Sequence, residues 1–438
     1  MAVVLFKILI ALGTGLLGAW MLRTRVLELP EKGFVRYALG LQVIPALALF
    51  VALYVIGHQA PTSDVPAYYL PAAHAVLAGQ VPVRDFATSY APLFPYVAAG
   101  LVGLWDSGKV FALFDIILNA AALLLWHAAA NRCYDRATAR HATLLFASCG
   151  HVLVQGLLGT NQAWVGAALA ASAVGLLRAR DLGAGVIQAV AAGTTKVLAL
   201  VFWPVLWLFA PHRWKWLLGA LLPVIALYGA FVAMGGGPGL LYPLLYEGEK
   251  TSAGNLPYLL DLLLAGTGNA ERFILDGLTL AALAVAFGWL FFTTRAVSAQ
   301  SRTRWLPAGL ALIGLVLMFF SKKSFTGYVV FVMYPVVLML VAGLARVRVR
   351  TTFLLVFNVL LVVEPTLWFR LGGYNQTLRD WFASGGGMTA LGFVGIDLAL
   401  LACYVYLGWL TVRWVSRNVA GATADRNESQ SATACSLV

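Results

Sequence analysis

About 13 apolar runs, most of them close to the roughly 20 residues that a helix needs to cross a bilayer, recur along this chain. Only 11% of its 438 residues are charged and 61% are hydrophobic, which is far outside the range of water-soluble domains. The pattern predicts an all-α fold, a polytopic transmembrane helical bundle of about 11–13 spans. The runs fall at 2–22, 38–57, 109–130, 141–158, 162–178, 183–196, 197–210, 216–235, 272–293, 305–320, 327–345, 352–371 and 390–412.

Two of these runs, 183–196 and 197–210, are short. We interpret them as a helix pair that enters the membrane and turns at Lys196, an arrangement that is tolerated where the turn lines a cavity, although two full crossings remain the alternative. The first run resembles a signal peptide, but it is long and its basic residues follow it. We therefore interpret it as a retained helix.

The basic residues predict the orientation, because Lys and Arg are retained on the cytoplasmic side. This places the N-terminus outside, the C-terminus inside, and residues 58–108, 236–271 and 372–389 on the outer face. The net charge of +12 is then mostly a topology signal and a contact surface for anionic lipids, not a nucleic-acid footprint. The cations assigned to the inner face are Arg23, Arg25, Lys32, Arg36, Arg132, Arg136, Arg140, Arg178, Arg180, Arg213, Lys215, Arg295, Arg302, Arg304, Arg346, Arg348, Arg350, Arg413, Arg417 and Arg426.

Several function classes are disfavoured by what the sequence lacks. It has no GxxxxGK[ST] phosphate loop, and its cytoplasmic loops are too short for a nucleotide-binding domain, which argues against an ATP-driven pump. An internal repeat, common in secondary transporters, is also not found. The four cysteines and six histidines show neither disulfide nor metal-ligand spacing, so we expect no metal and no cofactor.

The first outer loop carries two carboxylates. Asp64 follows a membrane helix closely and is placed to act as a general base at the interface, or else to cap a short helix that begins near Val65-Pro66. Asp85 stands beside Arg84 and is equally consistent with a surface ion pair.

Three lysines are candidates for holding an anion. Lys196 lies between two apolar half-helices, where an ionisable group is a functional candidate; its alternative is pairing with a buried acid, Asp115 or Glu364. Lys322 and Lys323 lie on the outer face, which otherwise avoids cations. Their alternative is interfacial snorkelling.

An ordered set of motifs resembles a known superfamily. The outer-loop segments "AVLAGQVPVRDF" and "YAPLFPY" are followed by "GTNQAWVGAALAASAVGLL", "GAGVIQAVAAGTTKVLALVFWPVLWLF", "HRWKW" and "SKKSFTGYVVFVMYPVVLML". Together they resemble the GT-C superfamily of polyprenyl-phosphate-sugar-dependent glycosyltransferases, in its mannosyl- and arabinosyltransferase-like branch. Two features depart from that pattern: Ala91 stands where the family has Pro in "YPP", and there is an additional N-terminal span.

The resemblance implies an inverting transferase in the bacterial plasma membrane. It would move mannose or arabinose from a polyprenyl-phosphate donor to a lipid, glycan or protein acceptor on the extracytoplasmic face, using Asp64 as base. A membrane transporter or a flippase for lipid-linked saccharides is the alternative, and a noncatalytic scaffold is a further one. The residues expected to bind substrate are Arg84, Asp85, Tyr90, Gln162, Lys196, Lys322, Lys323 and Tyr328.

The same reading divides the chain into four parts. Residues 1–37 form the additional N-terminal helix with a cytoplasmic loop, and 38–210 form a GT-C-like catalytic half. Residues 211–417 form a C-terminal helical half, and 418–438 form a disordered cytoplasmic tail.

Overall fold

The computed structural model describes residues 2–62, 64–243, 251–264, 269–371 and 387–435. These residues are overwhelmingly helical, and among them an isolated bridge between Pro82 and Phe86 is the only β-type pairing. The helices are α1 Ala2–Met21, α2 Glu31–Phe50, α3 Leu70–Leu77, α4 Phe94–Leu104, α5 Lys109–Cys133, α6 Arg136–Ala147, α7 Gly150–Leu158, α8 Gln162–Leu177, α9 Asp181–Thr194, α10 Trp203–Phe209, α11 Arg213–Phe231, α12 Leu256–Leu264, α13 Asn269–Thr294, α14 Ala299–Arg302, α15 Leu306–Phe320, α16 Met333–Gly343, α17 Val347–Arg370 and α18 Gly387–Cys435.

The length of these helices confirms an all-α polytopic membrane protein. Within the described ranges, nine helical segments are long and apolar enough to cross a bilayer, and the pair α6 and α7, bent by 47°, makes a tenth. The predicted number of 11–13 spans is higher because it counted runs whose helices prove too short to cross alone. These are α8 with 16 residues, α9 with 14, and α10 with the 3₁₀ turn before it.

The predicted turn at Lys196 is a break between two short helices. α9 ends at Thr194, Lys196 has an extended backbone (φ −101°, ψ 153°), and a 3₁₀ turn over Val197–Phe202 leads into α10. At 1.5 Å per residue α9 spans about 21 Å, short of the roughly 30 Å of hydrocarbon. Lys196 therefore follows the end of a helix that is too short to cross the membrane, as expected from the sequence.

Two further breaks resemble this one. The turn at 159–161 separates α7 from α8, and Gly159 there has a φ of +68° with no room for a Cβ, which would lie 2.9 Å from the Ala112 backbone nitrogen. Residues 321–325 separate α15 from a buried 3₁₀ turn, Thr326–Val332, that leads into α16. Each break places polar groups at the end of an otherwise apolar helix.

The first outer loop is fastened to the break at Lys196. Ala91 donates its backbone N–H to the carbonyl of Thr195, and Leu93 donates to Gly193, both at 2.9 Å. These two bonds hold the segment that carries Tyr90 directly beside Lys196.

The N-terminal helix is built into the bundle. α1 packs along α17 and α7 so closely that a Cβ on Gly15 would lie 2.4 Å from the side chain of Leu355, and one on Gly150 would lie 2.5 Å from the Cα of Ala11. α1 thus packs directly against two helices of the bundle.

The C-terminal tail differs from its expectation. Residues 418–438 were predicted to be disordered, but α18 continues through Cys435, with 436–438 outside the described residues. The tail contains no proline that would end the helix.

The helix ends on the side away from the three breaks carry the cations that the sequence predicts to be cytoplasmic. There Glu31 accepts a hydrogen bond from buried Arg140 at 2.8 Å and contacts His127 Nε2 at 2.7 Å. A second pair links His212 to Asp181 at 2.8 Å. Following α6 and α7 from Arg140 leads to the break at 159–161, and following α9 from Asp181 leads to the break at Lys196.

Candidate active site

A cavity of about 560 Å³ opens where the outer loop, the three breaks, α1 and α17 meet. Six of the nine residues predicted to form the site line it, namely Asp64, Tyr90, Gln162, Lys196, Lys323 and Tyr328. Residues far apart in the sequence are therefore brought to one place.

Asp64 reaches into the cavity and does not act as a helix cap. It lies at the N-terminus of a π-helical turn, Val65–Tyr69, but its side chain makes no capping hydrogen bond. Its Oδ2 accepts a hydrogen bond from the Tyr90 hydroxyl at 2.5 Å, while no described residue donates to Oδ1. The capping alternative is thus not what the side chain does, and Oδ1 is available to a ligand.

Tyr90 holds that carboxylate in place. Its ring stacks on Phe94 with centroids 4.5 Å apart and meets Tyr69 edge-on at 5.2 Å. Burial raises the pKa of the Tyr90 phenol well above its ordinary value, so the hydroxyl keeps its proton and stays a donor to Asp64.

Lys196 completes an ion pair on the same wall. Its Nζ lies 3.8 Å from Asp64 Oδ2 and donates to the Tyr328 hydroxyl at 3.1 Å. It also lies over the rings of Tyr90 and Tyr328, 5.1 and 5.4 Å from their centroids. Among the described acids, Asp64 and neither of the two buried ones considered above pairs with Lys196. Asp115 instead accepts a hydrogen bond from Trp164 Nε1 at 2.9 Å.

The cavity contains buried polar groups that no described residue partners. Gln155, Thr160 and Gln162 all line it and are each at most 4% exposed. Within the described ranges, Gln155 Oε1, Thr160 Oγ1 and Gln162 Oε1 have no hydrogen-bond partner. Because burying such atoms unpaired costs roughly 1–3 kcal/mol each, this arrangement is typical of a site that takes up a polar ligand.

The N-terminus of α8 points to the same place. Gln162 is its first residue, and Asn161 before it provides no side-chain cap. The first backbone N–H groups of a helix have no partner within the helix, and the helix dipole makes this end positive. The end of α8 therefore favours an anion.

The two lysines of the 321–325 break point in different directions. Lys323 lines the cavity together with Phe325 and Tyr328. Lys322 lies outside the cavity lining, and only 2% of its side chain is exposed. Its ammonium group donates to Asp276 Oδ2 on α13 at 2.8 Å. Its backbone carbonyl also accepts from Ser252 at 2.7 Å. Lys322 thus joins two segments, and its buried ion pair is not the interfacial snorkelling that the sequence left open as its alternative.

Arg84 and Asp85 lie on an exposed turn, outside the cavity lining. Arg84 donates twice to Asp85, at 2.8 and 2.7 Å, and the backbone N–H of Val81 donates at 2.7 Å. The Arg84 guanidinium and then this N–H lower the pKa of Asp85 to about 2. The pair matches the surface ion pair that the sequence left open as its alternative.

Two cations in the cavity were not anticipated from the sequence. Lys7 of α1 and Arg370 at the end of α17 both line it. The signal that indicates them is the same one that singled out Lys323, a cation on the face that otherwise avoids cations. No group of three or more His, Cys, Asp or Glu side chains that could hold a metal ion occurs in the described part of the chain.

No protein-family model and no curated protein matches this chain. Among solved structures it is similar to ArnT from Cupriavidus metallidurans bound to undecaprenyl phosphate, with 14% identity and a TM-score of 0.40. The likeness covers 87% of this chain and 78% of that one.

Proposed function

We propose that this protein is an integral-membrane, inverting glycosyltransferase that takes its sugar from a polyprenyl-phosphate donor. The observation that carries the proposal is the pairing, in one cavity, of a carboxylate with an open oxygen and a cation 3.8 Å away, Asp64 and Lys196. A transferase of this kind needs both a base for the acceptor hydroxyl and positive charge for the departing phosphate.

Asp64 acts as the general base. Its Oδ1 takes the proton of the acceptor hydroxyl, and the oxygen attacks the anomeric carbon of the donor sugar. The bond from that carbon to the phosphate oxygen breaks, and the phosphate leaves with the electron pair, so that configuration at the anomeric carbon inverts. Tyr90 keeps the carboxylate oriented through the 2.5 Å bond to Oδ2.

The departing phosphate is stabilised by fixed positive charge. Lys196 and Lys323 supply two ammonium groups, and the N-terminus of α8 adds backbone N–H groups and the amide of Gln162. These donors come from three different breaks, so the surrounding helices hold them in place before the donor arrives.

The substrates follow from the position of the cavity and from the sequence resemblance. A volume of about 560 Å³ is in the usual range for small-ligand sites and accommodates a sugar phosphate head group. We assign the donor as a polyprenyl-phosphate-linked mannose or arabinose, and the acceptor as a lipid, glycan or protein. The cavity would face the extracytoplasmic side of a bacterial plasma membrane, because it lies at the helix ends opposite the predicted cytoplasmic cations.

A transfer assay tests this function. Membranes with wild-type protein are supplied with a panel of radiolabelled polyprenyl-phosphate sugars, and Asp64→Asn and Asp64→Ala are compared at matched expression. The control is Asp106→Asn, the same chemical change at a side chain that is 81% exposed and outside the cavity. We expect transfer from one donor, lost in both Asp64 variants and kept in the control.

Two results would contradict the proposal. Full transfer by Asp64→Asn would remove the base from this site. Absence of transfer from every donor, together with movement of a labelled lipid-linked saccharide across the membrane, would favour a flippase.

A further inference from the structure

A groove of about 1130 Å³ lies at the end of α9 opposite to Lys196, on the predicted cytoplasmic side. His212 borders it and pairs with Asp181, the first residue of α9, whereas Lys196 closely follows the last one. Its lining comes from α10, from α11 and α13, which both contact α10, and from α14. We call it the α10 groove. It is about twice the size of the outer cavity, and the proposed function does not use it.

The α10 groove is charged at one end and apolar at the other. Arg213, Lys215 and Arg302 stand at helix ends. Leu200 lies before α10, and Phe287 lies two turns inside α13. From Leu200 to the end of α10 the chain rises about 15 Å, at about 2.0 Å per residue in the 3₁₀ turn and about 1.5 Å in the helix. This depth is about half of the roughly 30 Å hydrocarbon layer. A charged end and an apolar run as deep as one leaflet match a phospholipid and not a soluble anion.

The three cations of the groove meet without an acid. Arg213 and Lys215 occupy the first turn of α11, which contains no acidic residue, although the helix dipole favours negative charge at this end. Burial and then the nearby charge of Arg213 lower the pKa of Arg302, since like charges disfavour each other. In the part of the chain that the structure describes, no Asp or Glu lines the groove, and Asp181 is bound to His212. An anion between the cations would therefore relieve an unfavourable arrangement.

Tryptophan side chains surround these cations. Four of them line the groove, namely Trp203, Trp207, Trp214 and Trp216. Tryptophan is enriched at the level of the lipid head groups, and the Arg213 guanidinium lies over the Trp207 ring, 4.9 Å from its centroid. Within the described ranges, Arg302 Nε and the indole nitrogens of Trp203 and Trp216 have no acceptor. A phosphate beside these side chains would supply the acceptor oxygens that the protein lacks there.

We propose that the α10 groove binds an anionic phospholipid of the leaflet on that side, with its phosphate between Arg213, Lys215 and Arg302 and its acyl chains along α10. Basic pockets between membrane helices on the cytoplasmic side hold anionic head groups in this way. The positive-inside rule explains why cations lie on this side, but not why three of them, from two helices, border one apolar groove. The bound lipid links α11 to α14 and so stabilises the protein.

Native mass spectrometry of the full-length protein in a nonionic detergent tests the site, because it counts the lipids that stay bound. Dioleoyl-phosphatidylglycerol is the anionic probe, and dioleoyl-phosphatidylcholine is the zwitterionic probe with the same chains. Inorganic phosphate, followed by the rise in unfolding temperature, tests the charge of the head group alone. We expect phosphatidylglycerol to bind about fivefold more tightly than phosphatidylcholine or better, and inorganic phosphate to give no response at the same concentration.

The matched variants make the result specific. Lys215→Met and Arg302→Met should each weaken phosphatidylglycerol binding about fivefold and leave phosphatidylcholine binding unchanged. Arg348→Met is the control, because Arg348 is an exposed cation in the first turn of α17, on the same predicted face but outside the groove; it should change neither. Lys215→Arg should keep the preference. Arg302 also donates to the Val297 carbonyl at 2.9 Å, so Lys215→Glu, at an exposed position, serves if Arg302→Met does not fold.

The outcomes also separate the possible occupants. Equal affinity for the two phospholipids, or an unchanged preference in both Lys215→Met and Arg302→Met, overturns the site. A response to inorganic phosphate that these variants remove would assign the groove to a soluble anion. Undecaprenyl phosphate represents the other lipid source: if it binds more tightly than phosphatidylglycerol and Lys215→Met weakens it, the assignment to a phospholipid is wrong. Sugar transfer enters none of these measurements, so they stand apart from the test of the proposed function.

Discussion

Replacing Asp64 with Asn is expected to move donor affinity and turnover in opposite directions. In the resting cavity Lys196 is 3.8 Å from Asp64 Oδ2, so an incoming phosphate competes with this carboxylate for the ammonium group. The substitution removes the competitor while it keeps the size of the side chain and an oxygen for Tyr90. The donor should therefore bind more tightly, although the base is gone.

The distance between the two charges and their exposure set the magnitude of the change in donor affinity. At 3.8 Å and an effective dielectric constant of about 20, the attraction between the two charges is about 4 kcal/mol before solvation is considered. Both side chains keep contact with water, at 28% exposure for Asp64 and 17% for Lys196, so most of this attraction is screened. We expect a gain of about 1 kcal/mol, or roughly fivefold in affinity, and a loss of roughly 10²–10⁴-fold in turnover.

The assay compares equilibrium binding of undecaprenyl phosphate by purified wild-type and Asp64→Asn protein with single-turnover sugar transfer in the same preparation. Asp106→Asn controls for the loss of one negative charge. Weaker binding in Asp64→Asn would refute the competition, because it would mean that the carboxylate helps to hold the donor. Unchanged turnover would refute the role of Asp64 as base.

Three further predictions follow from other contacts. Tyr90→Phe keeps the stack on Phe94 but removes the hydroxyl bonded to Asp64, and a charge-assisted bond worth about 1.5–3 kcal/mol predicts a fall in turnover of at least tenfold, measured in the same transfer assay. Asp276→Asn leaves the buried ammonium of Lys322 without its charged partner and should lower stability by about 1–3 kcal/mol. This loss should exceed that of Lys322→Met, which leaves only a half-exposed carboxylate. Thermal unfolding in nanodiscs ranks the two, and the reverse order would contradict the reasoning. The pKa of Asp85 is about 2 in the folded protein, below its ordinary value of 3.8, so its contribution to stability is present above pH 4 and is lost as the pH falls toward 2. Asp85→Asn should flatten the pH dependence of unfolding in that window, and equal slopes would speak against the ion pair.

The sequence was sufficient to predict the helices and part of the site. Apolar runs of bilayer length identify the spans, and the interruption at Lys196 falls between two runs too short to cross, so its position as a turn was predictable. Asp64 could be predicted as a candidate because a carboxylate so close to a membrane helix is costly unless it has a structural or functional role. Its capping alternative was ruled out only by the direction of the side chain.

Other parts of the site depend on contacts between residues that lie far apart in the sequence. Lys322 and Lys323 are neighbours with the same chemistry, yet only Lys323 lines the cavity, because Asp276 on a distant helix binds Lys322. Lys7 lies in the first span, which the sequence predicts to be an addition to the fold. It lines the cavity because α1 packs along α17, where Lys7 donates to Thr366.

The three breaks explain how one site keeps several charged and polar groups at membrane depth. A side chain on an uninterrupted apolar helix faces lipid or packed neighbours, where an ionised group costs several kcal/mol. Ending a helix there opens a polar space and also leaves backbone N–H or C=O groups that need partners. At Thr195 the outer loop supplies such a partner through Ala91, and the same bond brings Tyr90, and with it Asp64, against Lys196. The contact that satisfies the broken backbone therefore also brings the Asp64 carboxylate and the Lys196 ammonium together. Under the proposed function, lengthening the 90–93 segment by one residue should weaken transfer and stability together.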